Sequence, residues 1–223
     1  MFPLLSYDYD ELLKCEGITK IRGNRFDPLY LEAAEPDFVY IVESGLVKTS
    51  VRGPADKEIV LHIFPKGEIF GVVAAVLQRQ HEDRATMLTE GTIAAIPKSA
   101  FDSYCQRNPN FWNYLTKLIA YRKTELHRKI QLLVLHDVEY RLVSCLIDLA
   151  EMADSQGTGG AMPSIPLSQE DLAVVIGATR ETTSNKLNIM SRSNHVILGR
   201  KKVVVPSIER LRGLLVTSSA ANA

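Results

Sequence analysis

One stretch near the C-terminus, residues 168–187, leaves little freedom in how the chain can fold there. Ser168 followed three residues later by Asp171 is a capping signature for a helix start. Leu172, Val175 and Ile176 recur at three and four residues and give one apolar stripe. Ala173 is small where two helices would cross closely. Gly177 falls where the first helix must stop, because glycine enters the left-handed conformation without the steric cost of a Cβ. Thr179 can then cap a second helix beginning at Arg180. The pattern predicts helix, tight turn, helix.

A plain antiparallel helix pair in a core would show the same capping. The difference lies in how the second helix opens. In a helix-turn-helix, the N-terminal residues of the second helix enter the major groove of DNA. Arg180 offers a fork of donors that matches the two acceptors of guanine, and Glu181 can accept from the amino group of cytosine. Thr182 or Ser184 can hold a phosphate, and Asn185 lies one turn beyond Glu181 on the same face. Downstream, residues 193–205 read as two short strands around the turn Gly199-Arg200-Lys201-Lys202. A basic-tipped hairpin after such a helix is the wing of a winged helix, and its cations can meet phosphates. The candidate DNA contacts are therefore Ser168, Thr179, Arg180, Glu181, Thr182, Ser184, Asn185, Lys186, Arg200, Lys201 and Lys202.

A formal net charge of zero is ill suited to DNA, but the average hides a gradient. Residues 1–107 hold 12 Lys and Arg against 16 Asp and Glu, a net of −4. Residues 108–167 hold 6 of each, and residues 168–223 hold 8 against 4, a net of +4. The positive charge sits where the motif predicts contact, and phosphate neutralisation needs only that local field. Cys15, Cys105 and Cys145 have neither zinc-ligand nor disulfide-framework spacing, so reduced, mostly buried thiols in a cytoplasmic protein are expected. The first six residues carry no basic region and no long apolar segment, and no stretch approaches the roughly 18 apolar residues of a membrane helix.

Upstream, residues 18–96 read as strands punctuated by glycine and proline. Phe38-Val39-Tyr40-Ile41-Val42 precedes a turn at Glu43-Ser44-Gly45. Residues 46–51 alternate, Gly53-Pro54-Ala55-Asp56 reads as a turn, and residues 58–64 form another strand. This suggests a sandwich or jelly-roll. A short helix is expected at residues 98–102. A long helix then starts at Asn108-Pro109 and runs to about Leu135 without proline or glycine, with Phe111, Leu115, Leu118, Leu126, Ile130 and Leu133 near one face. Such a seam packs on its own barrel or pairs with a twin, and a palindromic DNA site asks for a twofold dimer. A further amphipathic helix is expected to Met152, then a flexible turn over residues 154–160.

A metal-dependent jelly-roll enzyme would need clustered His and carboxylate ligands, whereas His62 and His81 stand alone in sequence. No nucleophile–base set or phosphate-cradling glycine loop is visible. Neither catalysis nor a metal is therefore expected. An iron–sulfur sensor needs four cysteines, and a haem sensor would have to draw its axial ligand from His62, His81, His127, His136 or His195.

This order of parts resembles the Crp/Fnr family of bacterial regulators over nearly the whole chain. The likeness is carried by Gly67-Glu68-Ile69-Phe70-Gly71, by Arg107-Asn108-Pro109 opening the long helix, and by Gly177-Ala178-Thr179-Arg180-Glu181-Thr182. The resemblance implies an α+β fold: an N-terminal β-roll of the jelly-roll, cyclic-nucleotide-binding type, a long dimerisation helix, and a C-terminal winged helix-turn-helix. Placed on this chain, these are residues 1–107, 108–136 and 137–223. It also implies a homodimer through residues 109–135, double-stranded DNA and RNA polymerase as partners, and control by a small molecule beside the long helix. Thr183 and Lys186 occupy positions the family usually fills with apolar residues, so the second helix is expected to sit less firmly, with Leu187 and Ile189 supplying packing instead. Asn185 stands where the family's namesake has a base-reading arginine, and asparagine suits adenine.

The family's cyclic-nucleotide pocket uses a Gly-Glu pair and an Arg-Ser pair. Here Gly71 is followed by Val72 and Arg84 by Ala85, and Leu126-His127 replaces the Thr-Ser pair of the long helix. Cyclic AMP is therefore disfavoured. Phe70-Gly71-Val72-Val73 with Asp83-Arg84 looks more like the nitrogen-control branch, which binds 2-oxoglutarate, and Arg122 stands at the matching place on the helix. The resemblance thus implies a small anionic effector held by Arg84 and Arg122, near Phe70, Gly71, Val72, Val73, Ala85, Leu126 and His127; structural salt bridges at the two arginines are the alternative. An effector-independent regulator, or a ligand-binding module acting on a protein partner, would also fit these residues.

Overall fold

The computed structural model describes residues 7–54, 57–155 and 162–221. The first six residues, the Ala55-Asp56 half of one expected turn and residues 156–160 of the expected flexible turn lie outside the described residues. Backbone contacts divide the chain into two units, residues 1–52 with 61–127, and residues 53–60 with 128–223.

The first unit is a roll of two antiparallel sheets. One has the order β1 (Thr19–Gly23), β8 (Gly91–Pro97), β3 (Phe38–Ser44), β6 (Ile69–Phe70). The other has β2 (Pro28–Tyr30), β7 (Arg84–Met87), β4 (Val47–Arg52), β5 (Glu58–Phe64). The apolar run of β3 becomes intelligible here, because both of its faces are covered. Tyr40 and Val42 point between the sheets, where they meet Tyr30, Phe64, Phe70, Ala85 and Met87. Val39 and Ile41 point the other way, into a core shared with α1 (Val72–Leu77), α2 (Lys98–Arg107) and the first half of α3 (Pro109–Leu135). The residues before β1 close this second core: Tyr9 and Tyr114 share a hydrogen bond of 2.6 Å between buried hydroxyls.

The long helix has the expected limits, but its apolar seam is divided among three tasks. Phe111, Leu115 and Leu118 are buried in their own roll, and so are not offered to a twin. Leu126 lines a cavity of the roll, and Leu133 lies close enough to Gly177 that a Cβ there would stand 3.1 Å from its methyl. The large apolar residues that α3 leaves exposed are Trp112, Ile130, Val134 and Leu135.

The second unit contains α4 (Val138–Ser155), which runs three residues past the expected end at Met152, so that Asp154 and Ser155 are helical. There follow β9 (Ser164–Ile165), α5 (Gln169–Ile176), α6 (Arg180–Arg192), β10 (Ile197–Gly199), β11 (Lys202–Val204) and α7 (Ile208–Ala221). The hairpin of β10 and β11 is the one expected; β9, pairing with β11, and α7 were not foreseen. Two-residue β9 carries too little pattern to read, and α7 lacks a stop signal and ends in small residues. All three cysteines are free; burial pushes the thiols of Cys105 and Cys145 up to about 12, while Cys15 is half-buried.

Candidate nucleic-acid interface and effector cavity

Both helices of the 168–192 segment begin with the bonds the sequence called for. The Ser168 hydroxyl accepts from the Asp171 amide at 3.2 Å, and the Asp171 carboxylate takes the Ser168 amide at 2.7 Å, a reciprocal capping box. Ser168 also donates its hydroxyl to Asp171, so its polar atoms serve the cap. Gly177 ends α5 with φ of 64°, and Thr179 caps α6 by accepting from the Thr182 amide at 3.2 Å. Thr179 in turn donates to the Thr182 hydroxyl at 2.8 Å.

The last carbonyls of α5 are served from outside the motif. A helix leaves its final C=O groups without internal partners. Lys129 of α3 donates to the Val175 carbonyl at 3.1 Å, and Arg141 of α4 reaches the Gly177 carbonyl at 3.4 Å. Burial pulls the Lys129 ammonium below the ordinary lysine range. Beside it, Arg128 makes a two-pronged bond to Asp148 at 2.8 and 3.1 Å and a third bond to Ser144 at 2.7 Å.

The second helix is seated more firmly than Thr183 and Lys186 suggested, and by polar means. Thr183 is fully buried, and its hydroxyl donates to the Thr179 carbonyl one turn back at 2.9 Å, so no polar atom is stranded. The Lys186 ammonium pairs with Glu139 of α4. Leu187 is buried as expected, whereas Ile189 is 56% exposed and contributes no seat. Arg180, Glu181 and Asn185 are exposed, and Thr182 and Ser184 are half-buried. In the wing, Arg200, Lys201 and Lys202 are exposed at the tip, where Lys201 has φ of 54°.

The roll encloses a cavity of about 530 Å³. Gly71, Val72, Val73, Arg122 and Leu126 line it, together with Thr49, His62, Phe64, His81 and Asp83. Gly71 has φ of 79°, and a Cβ there would stand 3.2 Å from the Tyr40 ring, so both conformation and space demand glycine. Phe70 is buried behind the wall, in the core between the sheets. The expected clamp of two arginines does not form around this space. Along β7, Ala85 and Met87 point into the core while Arg84 and Thr86 point outward, and strand alternation therefore keeps Arg84 off the cavity lining. His127 is exposed and is also outside the lining.

Arg122 does line the cavity, but it is already bonded. One terminal nitrogen reaches the Glu68 carboxylate at 3.3 Å and also donates to the Ile69 carbonyl. Its guanidinium carbon lies 4.8 Å from the centroid of the Phe64 ring. Burial pushes the Glu68 carboxyl up despite the arginine beside it. On another wall, His81 is stacked on Tyr30 at 3.7 Å, and Asp83 accepts from the Tyr30 hydroxyl at 3.1 Å. Burial lowers the pKa of His81, although the Asp83 carboxylate lies 4.0 Å from its Nδ1. His62 and His81, apart in sequence, thus line one cavity. The Glu68 and Asp83 partnerships join residues more than 50 positions apart, and no local pattern announces them.

Residues 24–108 match the cyclic nucleotide-binding domain, and residues 140–214 match the Crp-like helix-turn-helix domain. The chain belongs to the Crp/Fnr family. It is a DNA-binding transcriptional regulator of that family, and the relatives it matches are regulators of transcription rather than enzymes. It is 27% identical over 183 residues to the CRP-like cAMP-activated global transcriptional regulator of Mycobacterium tuberculosis, covering 82% of each chain. It is 25% identical over 170 residues to the global nitrogen regulator of Synechococcus elongatus, covering 75% of this chain and 76% of the relative. Among solved structures, FixK2 from Bradyrhizobium japonicum has the same Crp/Fnr fold, with a TM-score of 0.78 at 17% identity over 88% of this chain and 96% of the other. No helix among the described residues is long and apolar enough to cross a membrane.

Proposed function

We propose that this Crp/Fnr regulator works in the cytoplasm as a homodimer on a palindromic DNA site, tuned by a small acid of the 2-oxoglutarate kind in the roll cavity, with RNA polymerase as a further partner. The observation that carries the DNA contacts is the exposed Arg180–Glu181 doublet on the first turn of a capped helix. Arg180 reads a guanine, Glu181 a cytosine amino group and Asn185 an adenine, while Arg200, Lys201 and Lys202 meet phosphates. A dimer is supported by the exposed apolar residues Ile130, Val134 and Leu135 on the long helix. Domain limits at residues 107 and 136 remain part of this reading.

The acid is supported by Arg122 at the cavity wall and by the likeness to a nitrogen regulator. Cyclic AMP, which the name of the mycobacterial relative invokes, is less favoured because Val72 and Ala85 replace the family's carboxylate and hydroxyl. One observation favours a second reading, an effector-independent regulator: Arg122 already has a carboxylate partner in Glu68. A gel-shift series at fixed salt tests the DNA assignment. Arg180→Ala is expected to cost roughly 1–3 kcal/mol and to relax preference at one base pair. Lys201→Ala is expected to weaken specific and random DNA alike and to flatten the salt slope. Equal effects of both variants on both DNAs would refute the roles, and a wild type that shifts no DNA would favour a module acting on a protein partner.

A further inference from the structure

We propose that Glu68, which does not itself line the cavity but pairs with Arg122, which does, sets the specificity of the site as an internal anion that any acid binding Arg122 must displace. The inference rests on the acid-effector reading and adds a second carboxylate to its account. Arg122 lines the cavity, as do Arg79 and Lys123, and of these it is Arg122 that pairs with Glu68. An acid that bound Arg122 while Glu68 stayed ionised would set two carboxylates on one guanidinium in a partly dehydrated space, where like charges repel strongly. Glu68 therefore has to take up a proton or swing out as the acid enters.

The geometry suits displacement. The contact is a single one, at 3.3 Å, longer and weaker than the two-pronged grip an arginine fork makes on a well-placed carboxylate. The carboxyl is held at a cost, since burial already pushes its pKa upward. Its side chain keeps 21% of its surface in solvent, which leaves it a way out. Arg122 would not collapse when released, because the Ile69 carbonyl and the Phe64 ring hold it in place. Besides Arg122, the titratable groups that feel Glu68 are the Tyr9 and Tyr114 hydroxyls, both raised by burial and therefore neutral at working pH. Of the groups around Arg122, Glu68 is thus the one that exchanges a proton or position with the ligand; His62, His81, Glu82 and Asp83 also line the cavity, and the Glu68→Gln comparison at each pH separates its share from theirs.

The test is calorimetric titration of the full-length protein with 2-oxoglutarate and, separately, cyclic AMP, at pH 6 and pH 8. Wild type, Glu68→Gln and Arg122→Met are compared, and circular dichroism checks each fold. The glutamine keeps size and hydrogen bonding but removes the competing charge. At least tenfold tighter binding of one acid by Glu68→Gln at pH 8, with a smaller difference at pH 6 and binding lost in Arg122→Met, is the expected result. Equal or weaker binding by Glu68→Gln, with wild type still binding, overturns the role of Glu68 and leaves the effector reading standing. If no form binds either acid, both fall. Should Glu68→Gln not fold, Glu68→Ser is measured against the same outcomes.

Discussion

Replacing Thr179 by serine, glycine and alanine separates two roles that one hydroxyl can play. In the structure it caps the reading helix: it accepts from the Thr182 amide at 3.2 Å and donates to the Thr182 hydroxyl at 2.8 Å. A phosphate contact would need the same atom. N-cap energetics predict little change for serine, a few tenths of a kcal/mol for glycine, and about 1 kcal/mol for alanine, which can neither accept nor expose the amides to water as glycine does. Part of that cost reaches DNA, because Arg180 and Glu181 ride on the turn that frays. About 1 kcal/mol corresponds to roughly a fivefold loss of affinity as an upper bound. Hydrogen exchange at the amides of Thr182 and Thr183 in the free protein reads the cap, and operator titration at fixed salt reads binding. The cap requires the order serine, glycine, alanine in both assays. If glycine and alanine lose affinity equally, without faster exchange in either, the hydroxyl acts on DNA directly and the capping argument is wrong.

Thr183→Val is expected to change stability by less than about 1 kcal/mol, since the Thr179 carbonyl keeps the Thr183 amide at 3.0 Å and no acceptor is orphaned; a loss above about 2 kcal/mol in urea unfolding would show that the hydroxyl is the seat. His81 makes the roll sensitive to acid. Its folded pKa is lowered from 6.5 by burial, so the unfolded chain takes up the proton first and stability falls as pH drops below 6.5. His81→Phe, which keeps the stack on Tyr30, is expected to flatten that part of the curve; an unchanged slope in urea midpoints between about pH 7 and pH 5 would remove His81 as its source.

The helix-turn-helix, its wing and the limits of the long helix were legible because each is written locally, in caps, a left-handed glycine and an unbroken apolar period. Three features were not. Apolar spacing on the long helix states which residues share a face, but not whether their own roll or a twin covers it; Phe111, Leu115 and Leu118 went to the roll. Thr183 and Lys186 read as weak packing because their partners, a carbonyl one turn back and Glu139 in another helix, cannot be inferred from residue type alone. The Arg84–Arg122 clamp failed on strand parity, since one step along β7 exchanges inside for outside.

The grip of Lys129 and Arg141 on α5 falls on peptide oxygens rather than on side chains. The hold is therefore blind to the side chains at 175 and 177, which burial of Val175 and the left-handed turn at Gly177 restrict on their own account, while loss of either cation unfastens it. Only side chains that keep a long cationic donor at 129 and 141 preserve it, a restriction that saturation mutagenesis at those two positions reads directly.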